Sequence, residues 1–262
     1  MELVQTHIEG PVATLTLNRP DKRNALSGPL VTALSQALQA MAEQETVRVV
    51  VLTGAGKAFS AGADLAELSR LQEATVEENL VDSERLAALF QQLAYYPKPL
   101  IARLNGHAIA GGCGLAIACD FTVAVAGAKL GFTEVRIGFV PAIVATFVLR
   151  RVGETVARDL LLRGRLIEAE EAVRLGLIHR VVLPEELDAV VQALARELAT
   201  ETSPSAVALT RRLLADLPGL NLDAALAYAT RVNALARGTA DCKAGIRAFL
   251  EKQDPPWRRS SG

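Results

Sequence analysis

Apolar positions open the chain in two short β-rich runs, Leu3–His7 and Val12–Leu17, split by Glu9-Gly10-Pro11, which predicts a hairpin. The period then changes. Leu30, Leu34, Leu38 and Met41 recur at helical spacing behind Ser27, a capping residue, and Pro29, which suits a first turn. The run Val47–Leu52 is β-branched, broken only by Arg48 and closed by Thr53-Gly54-Ala55-Gly56, and such continuous hydrophobicity predicts a strand buried on both faces. A helix over Glu77–Tyr95, a strand over Pro99–Leu104, a helix over Gly111–Ala118, a strand over Phe121–Ala126 and a helix over Pro141–Arg150 follow. This βα alternation predicts an α/β core with largely parallel strands.

From Gly153 onward the pattern is mostly helical, over Thr155–Leu162, Ala169–Leu175, Pro184–Thr200, Ser203–Leu214, Asp223–Ala236 and Asp241–Lys252. The polar breakers Thr200-Glu201-Thr202-Ser203-Pro204 soften a division into a core over residues 1–195 and a helical region over 196–262. The last residues, 254–262, hold Pro-Pro-Trp and terminal serines and read as an irregular tail.

Composition narrows the function classes. A chain of 262 residues with 50% hydrophobic content buries a sizeable core, which excludes a disordered chain. A formal net charge of −1 supplies no basic field for a nucleic-acid backbone or an anionic membrane. No apolar stretch reaches the ~20 residues that span a bilayer, and the start has no charged leader ahead of an apolar core. The expectation is a soluble cytoplasmic protein with neither nucleic-acid nor membrane partners. Cys113, Cys119 and Cys242 are odd in number and lack CxxC spacing, which favours buried thiols in a reducing compartment over disulfides or a metal site.

Two glycine-containing segments sit just beyond predicted strands, Lys57-Ala-Phe-Ser-Ala-Gly-Ala-Asp-Leu65 and Asn105-Gly-His-Ala-Ile-Ala-Gly-Gly-Cys-Gly114. Small residues let backbone N–H groups approach a ligand closely, and Gly111 opens a helix, so its N–H is free and backed by the positive helix end. Two such donors suit an oxyanion. Taken alone the glycines are weak evidence, since tight packing and ordinary turns explain most such clusters. Nucleotide readings fit less, since Lys57 is followed by Ala58 where a P-loop needs Ser or Thr and no GxGxxG follows the first strand, and catalytic-triad chemistry lacks support because Ser60 is not in a GxSxG elbow.

Taken together with Cys119-Asp120, Leu17-Asn-Arg-Pro-Asp-Lys-Arg-Asn-Ala-Leu26, Glu134 followed by Gly138, and Phe249-Leu-Glu-Lys252, these segments resemble the enoyl-CoA hydratase/isomerase (crotonase) superfamily along nearly the whole chain. The resemblance implies a ClpP/crotonase spiral of ββα units with a C-terminal helical region that builds homotrimers, often paired into hexamers. It implies an acyl-CoA substrate, with coenzyme A as part of the substrate and no separate cofactor. The N–H groups of Ala63 and Gly111 would hold the thioester oxygen, Arg23, Ala25, Leu26 and Ala61 would line the coenzyme, and Phe249 and Lys252 match positions that reach a neighbouring subunit's ligand. Hydratases of the family carry two glutamates. Here Gly114 stands at the first position and Glu134 at the second, and Ala142-Ile-Val144 follows Pro141 where hydratases are glycine-rich. One carboxylate favours a proton shuttle that moves the double bond of a 3-enoyl-CoA to the 2-position. Hydration with a single glutamate, a hydratase-lyase reaction, thioester hydrolysis and a CoA-binding subunit without catalysis stay open. Burial is expected to raise the pKa of Glu134, Asp64 is expected to cap the helix starting at Leu65, and His107 reads as structural.

Overall fold

The computed structural model describes residues 2–259. The opening runs pair as an antiparallel hairpin, β1 (Val4–Glu9) and β2 (Val12–Leu17), with Val4 opposite Leu17. Helix α1 (Gly28–Glu43) starts where Ser27 accepts the N–H of Leu30, and buries Leu30, Val31, Leu34 and Leu38. Three ββα turns follow. The first is β3 (Val49–Gly54), β4 (Ala58–Ser60), α2 (Leu65–Glu73) and α3 (Val76–Ala94). The second is β5 (Leu100–Leu104), β6 (His107–Ile109) and α4 (Gly111–Ala118), and the third β7 (Phe121–Val125), β8 (Lys129–Gly131) and α5 (Ala142–Arg163).

In each turn the first strand joins one sheet and the second strand another. With β9 (Leu166–Glu168) and β10 (Arg180–Val182), the orders are β1-β2-β3-β5-β7-β10 and β4-β6-β8-β9, parallel except at β1/β2 and β8/β9. This is the expected spiral of ββα units. β3 alternates between two cores, as its sequence requires: Val50 and Leu52 face the main core under α1, α3 and α4, while Val49 and Val51 face Leu187, Val191, Ala195 and Ala199 of α7 (Leu187–Glu201). Helix α7 therefore runs across residue 195 and stays packed on the sheet as far as Ala199.

The stretch after Gly153 is mostly helical as expected, and around α6 (Ala169–Arg174) it adds β9 and β10, each of three residues and too short to show a period. One expectation is corrected. The tail is not wholly irregular, because Pro256–Arg259 forms a helical turn, α11, held by ion pairs of Arg258 with Glu201 and Asp254 and by the Trp257 ring against Gly245. The terminal serines lie outside the described residues. Gly153 (φ 70°, ψ 177°) breaks α5 into the two helical stretches its position suggests.

The last helices are α8 (Pro204–Asp216), α9 (Leu222–Gly238) and α10 (Ala240–Leu250). Arg211 ties α8 to the spiral: its Nε reaches both oxygens of Asp120 at 2.9 and 2.8 Å, and its Nη2 donates to the carbonyl of Leu93 at 3.1 Å. Asp120 also accepts the N–H of Leu100 at 2.7 Å. No residue of α9 is buried, and Leu222, Leu226, Leu235, Ile246, Phe249 and Leu250 leave apolar surface exposed. Among the described residues, no helix is long and apolar enough to cross a membrane.

Candidate functional site

The loop from Arg19 to Leu26 is the scaffold of the site. Arg23 (φ 49°) and Asn24 (φ 54°) adopt successive left-handed conformations, and fully buried Asn24 holds them there. Its Nδ2 donates to the carbonyls of Ala55 and Ala58 at 2.9 and 2.8 Å, and its Oδ1 accepts the N–H of Arg19 at 2.9 Å. The Ser60 hydroxyl donates to the Asn24 carbonyl at 2.8 Å, so the loop is fastened to β4. Asn24 and Ser60 are site-building residues that the sequence reading left without a role. Their signal was the Asn-Ala pair and the buried serine, neither informative without the contact between them.

Segments 23–26 and 61–64 then run side by side. Ala61 donates to Arg23, Leu26 donates to Gly62 at 2.6 Å, and Asp64 donates to Leu26 at 3.1 Å. This parallel bridge uses the groups flanking Ala63 and leaves its N–H directed away from Leu26. Gly62 (φ 88°) turns directly against Ile109 and Ala110: a Cβ there would sit 2.9 Å from the Ala110 Cβ and 2.9 Å from the Ile109 carbonyl. Gly111 comes next and opens α4, where its N–H precedes any intrahelical acceptor. The Leu26 side chain covers it, 3.3 Å from where a Cβ would stand. Ala63 and Gly111, far apart in sequence, are thus brought to one place with Leu26 between them.

Ala110 takes φ 50° and ψ −125°, a conformation suited to glycine, and the 2.7 Å bond from its N–H to the Gly131 carbonyl holds it. That bond also fixes the third component, since Glu134 lies three residues beyond Gly131, in the short 3-10 turn Glu134–Ile137. The Glu134 side chain is 9% exposed, and its Oε2 is buried without a hydrogen-bond partner. Burial pushes its carboxyl pKa up from the usual 4.5, only partly offset by its own backbone N–H. Cys113, in the first turn of α4, is close enough to Glu134 to feel its charge, and burial pushes that thiol up to about 12, so it stays protonated. Gly114 presents no second carboxylate.

Helix α4 is buried along Gly112–Ala118. Its far end is held by Arg151 of α5, whose Nη2 reaches the carbonyls of Ile117 and Cys119, each at 2.6 Å.

Asp64 caps α2 as expected, its Oδ1 accepting the Ala66 N–H at 2.9 Å and its Oδ2 the Arg19 Nη2 at 2.8 Å. Burial alone would raise its pKa, but the Arg19 guanidinium and the helix-start N–H groups outweigh that and hold the carboxyl below its usual range. The group's stabilising contribution is therefore present above the unfolded carboxylate pKa and is lost as pH falls through the lower folded value. Asp64→Ala is expected to cost about 1–2 kcal/mol, with the deficit in thermal midpoint shrinking at acid pH. His107 is structural, accepting the Lys129 N–H at its Nδ1 at 2.9 Å. Arg23 is exposed beside buried Ala25 and Leu26. Phe249, 83% exposed, and Lys252 stand at and just past the end of α10, which packs on α8, α9 and α11 rather than on the elements that carry Glu134, Ala63 and Gly111. Among the described residues no cluster of His, Cys, Asp or Glu is arranged to hold a metal ion.

A two-sheet ββα spiral with free backbone donors at two converging glycine-rich turns defines a crotonase-like protein. The chain belongs to the enoyl-CoA hydratase/isomerase family, whose model matches residues 7–260. It is 49% identical over 247 residues to a Thermus thermophilus protein whose name assigns it provisionally to the enoyl-CoA hydratases, covering 94% of this chain and 97% of the relative. It is 34% identical over 251 residues to the short-chain-enoyl-CoA hydratase of Clostridium acetobutylicum, covering 94% and 93%. The crystal structure of an enoyl-CoA hydratase from Shewanella pealeana superposes with a TM-score of 0.92 at 31% identity, covering 97% and 96% of the two chains.

Proposed function

We propose that the protein moves the double bond of a 3-enoyl-CoA to the 2-position with Glu134 as the single proton carrier. The observation that carries this reading is a buried carboxylate with one free oxygen and a raised pKa, beside a helix start that presents backbone donors and no second carboxylate. Glu134 takes a proton from C2, and the C–H electron pair becomes the C1–C2 double bond of a dienolate. The negative charge settles on the thioester oxygen, held by the N–H groups of Ala63 and Gly111. As the carbonyl re-forms, the C2–C3 double bond is made and C4 takes back the proton from Glu134. One carboxylate serves both steps, and a pKa shifted toward neutrality suits a group that must both accept and donate. Arg23, Ala25, Leu26 and Ala61 line the coenzyme in this reading.

Incubation with 3-enoyl-CoA is expected to generate the conjugated absorbance of the 2-enoyl product, with the transferred proton partly retained in deuterated water. No absorbance gain and no exchange at C2 would reject the reading. Hydration of 2-enoyl-CoA is the second reading, favoured by the hydratase names of the relatives. It predicts loss of the conjugated absorbance of crotonyl-CoA and uptake of solvent oxygen.

The uncovered apolar residues of α9 and α10 support assembly as a trimer or a dimer of trimers, in which Phe249 and Lys252 meet a neighbour's ligand. Sedimentation is expected to give three or six times the 27.8 kDa chain mass.

A further inference from the structure

We propose that Gly114 and Val144 form one size-matched pair, and that Val144 is the residue that keeps a second acid/base group, and with it hydration, out of the site. The inference rests on the single-carboxylate reading above. Gly111 and Gly114 are three residues apart on α4 and so share a face of that helix. The first borders the site, and by the family resemblance 114 is the position where hydratases carry their first glutamate.

A side chain at 114 has no room in this chain. A Cβ built on Gly114 would lie 2.2 Å from Val144 Cγ1, 3.0 Å from Val144 Cβ and 3.2 Å from Phe90 Cζ. Even alanine does not fit, and a glutamate is larger still. Neither neighbour can step aside cheaply. Val144 is 4% exposed and β-branched in the first turn of α5, where its χ1 is restricted. Phe90 is 1% exposed, with its ring against that of Phe147 at 5.2 Å between centroids. Two departures from a hydratase-like sequence, thirty residues apart, are therefore a single contact, with valine filling the volume that the glycine vacates.

Adding water across a 2-enoyl thioester joins the water oxygen to C3 and a proton to C2, while the water's own proton leaves to a base. A second carboxylate opposite Glu134 divides those roles. The structure assigns the barrier to volume, so a carboxylate at 114 gains a place only when Val144 is also cut back. Val144→Ala would keep the Cβ contact, so Val144→Gly is the partner substitution.

The experiment compares the wild type, Gly114→Glu, Val144→Gly and the double variant for thermal midpoint, 3-enoyl-CoA isomerisation and crotonyl-CoA hydration. Gly114→Glu alone is expected to lower the midpoint without gaining hydration, and Val144→Gly alone to gain none. The double variant is expected to recover midpoint relative to Gly114→Glu and to hydrate crotonyl-CoA roughly 100-fold faster than the wild type, the lower end of what a positioned acid/base group supplies. Hydration by Gly114→Glu equal to that of the double variant, or a folded double variant with no gain, overturns the proposal. If the glutamate variants do not fold, Gly114→Ala carries the test: its midpoint loss must be relieved by Val144→Gly, and additive losses refute the pairing. A wild type that hydrates crotonyl-CoA and does not isomerise 3-enoyl-CoA rejects the single-carboxylate reading instead, and the midpoint coupling separates that failure from failure of the pairing.

Discussion

In the proposed double-bond shift, Glu134→Gln is expected to lower kcat/KM by roughly 10²–10⁴-fold, the range set by loss of a positioned acid/base group. The same change is expected to affect stability in the opposite sense. Burial raises the folded-state pKa of Glu134 above its unfolded value. The stability associated with its neutral form is fully present below the unfolded pKa and is lost as pH rises through the folded pKa. The variant stays neutral, so its thermal midpoint relative to the wild type should climb between acid pH and pH 8. Activity of the wild type should show an acid limb displaced above the ordinary glutamate value, because only the ionised form accepts the C2 proton. A variant that kept full activity, or a midpoint difference independent of pH, would remove Glu134 from the role of buried base.

Arg211→Ala is expected to destabilise the fold although it lies outside the site. It leaves Asp120 without its hydrogen-bonded cation, with Arg151 still acting on it through space, and the Leu93 carbonyl without its donor where α8 joins the spiral. The survivor, Asp120, is 28% exposed and keeps the Leu100 N–H and the field of Arg151, so the expected cost is that of lost charge-assisted hydrogen bonds, about 1.5–3 kcal/mol, rather than that of a fully buried orphan charge. Denaturant unfolding measures the loss. A loss below about 1 kcal/mol would show the pair to behave like an exposed ion pair. Arg211→Met together with Asp120→Asn should recover part of the deficit, since no uncompensated charge then remains.

Elements with a full period were legible in the sequence. The helix predicted over Gly111–Ala118 has those bounds in the structure, α1 starts behind Ser27, and the unbroken β-branched run became a strand covered on both faces. The second sheet was not legible. Each of its strands has three residues, fewer than two full alternations, and their pairing is set by the spiral rather than by propensity. Among the candidate site residues, Glu134 and Ala63 were legible through motif resemblance, Gly111 already through its place at a helix start, and the capping role of Asp64 through local chemistry. Asn24 was missed because its three bonds go to residues five, thirty-one and thirty-four positions away. Gly114 and Val144 each stood out in the sequence as a departure from the hydratase pattern, but that the two departures touch was visible only once the fold placed them in the same space.

Helix α4 has one more consequence. Its residues are all apolar, it is buried from Gly112 to Ala118, and the Arg151 guanidinium grips the carbonyls of Ile117 and Cys119 at its trailing end. Little solvent lies along it to damp the field of its aligned peptide groups. A cation fixed at one end and an unspent N–H at the other make the helix behave as a pre-charged probe pointed at the substrate. On the proposed reading, the acidity of a bound thioester's α-carbon would then depend partly on Arg151, a residue at the opposite end of the helix from Gly111.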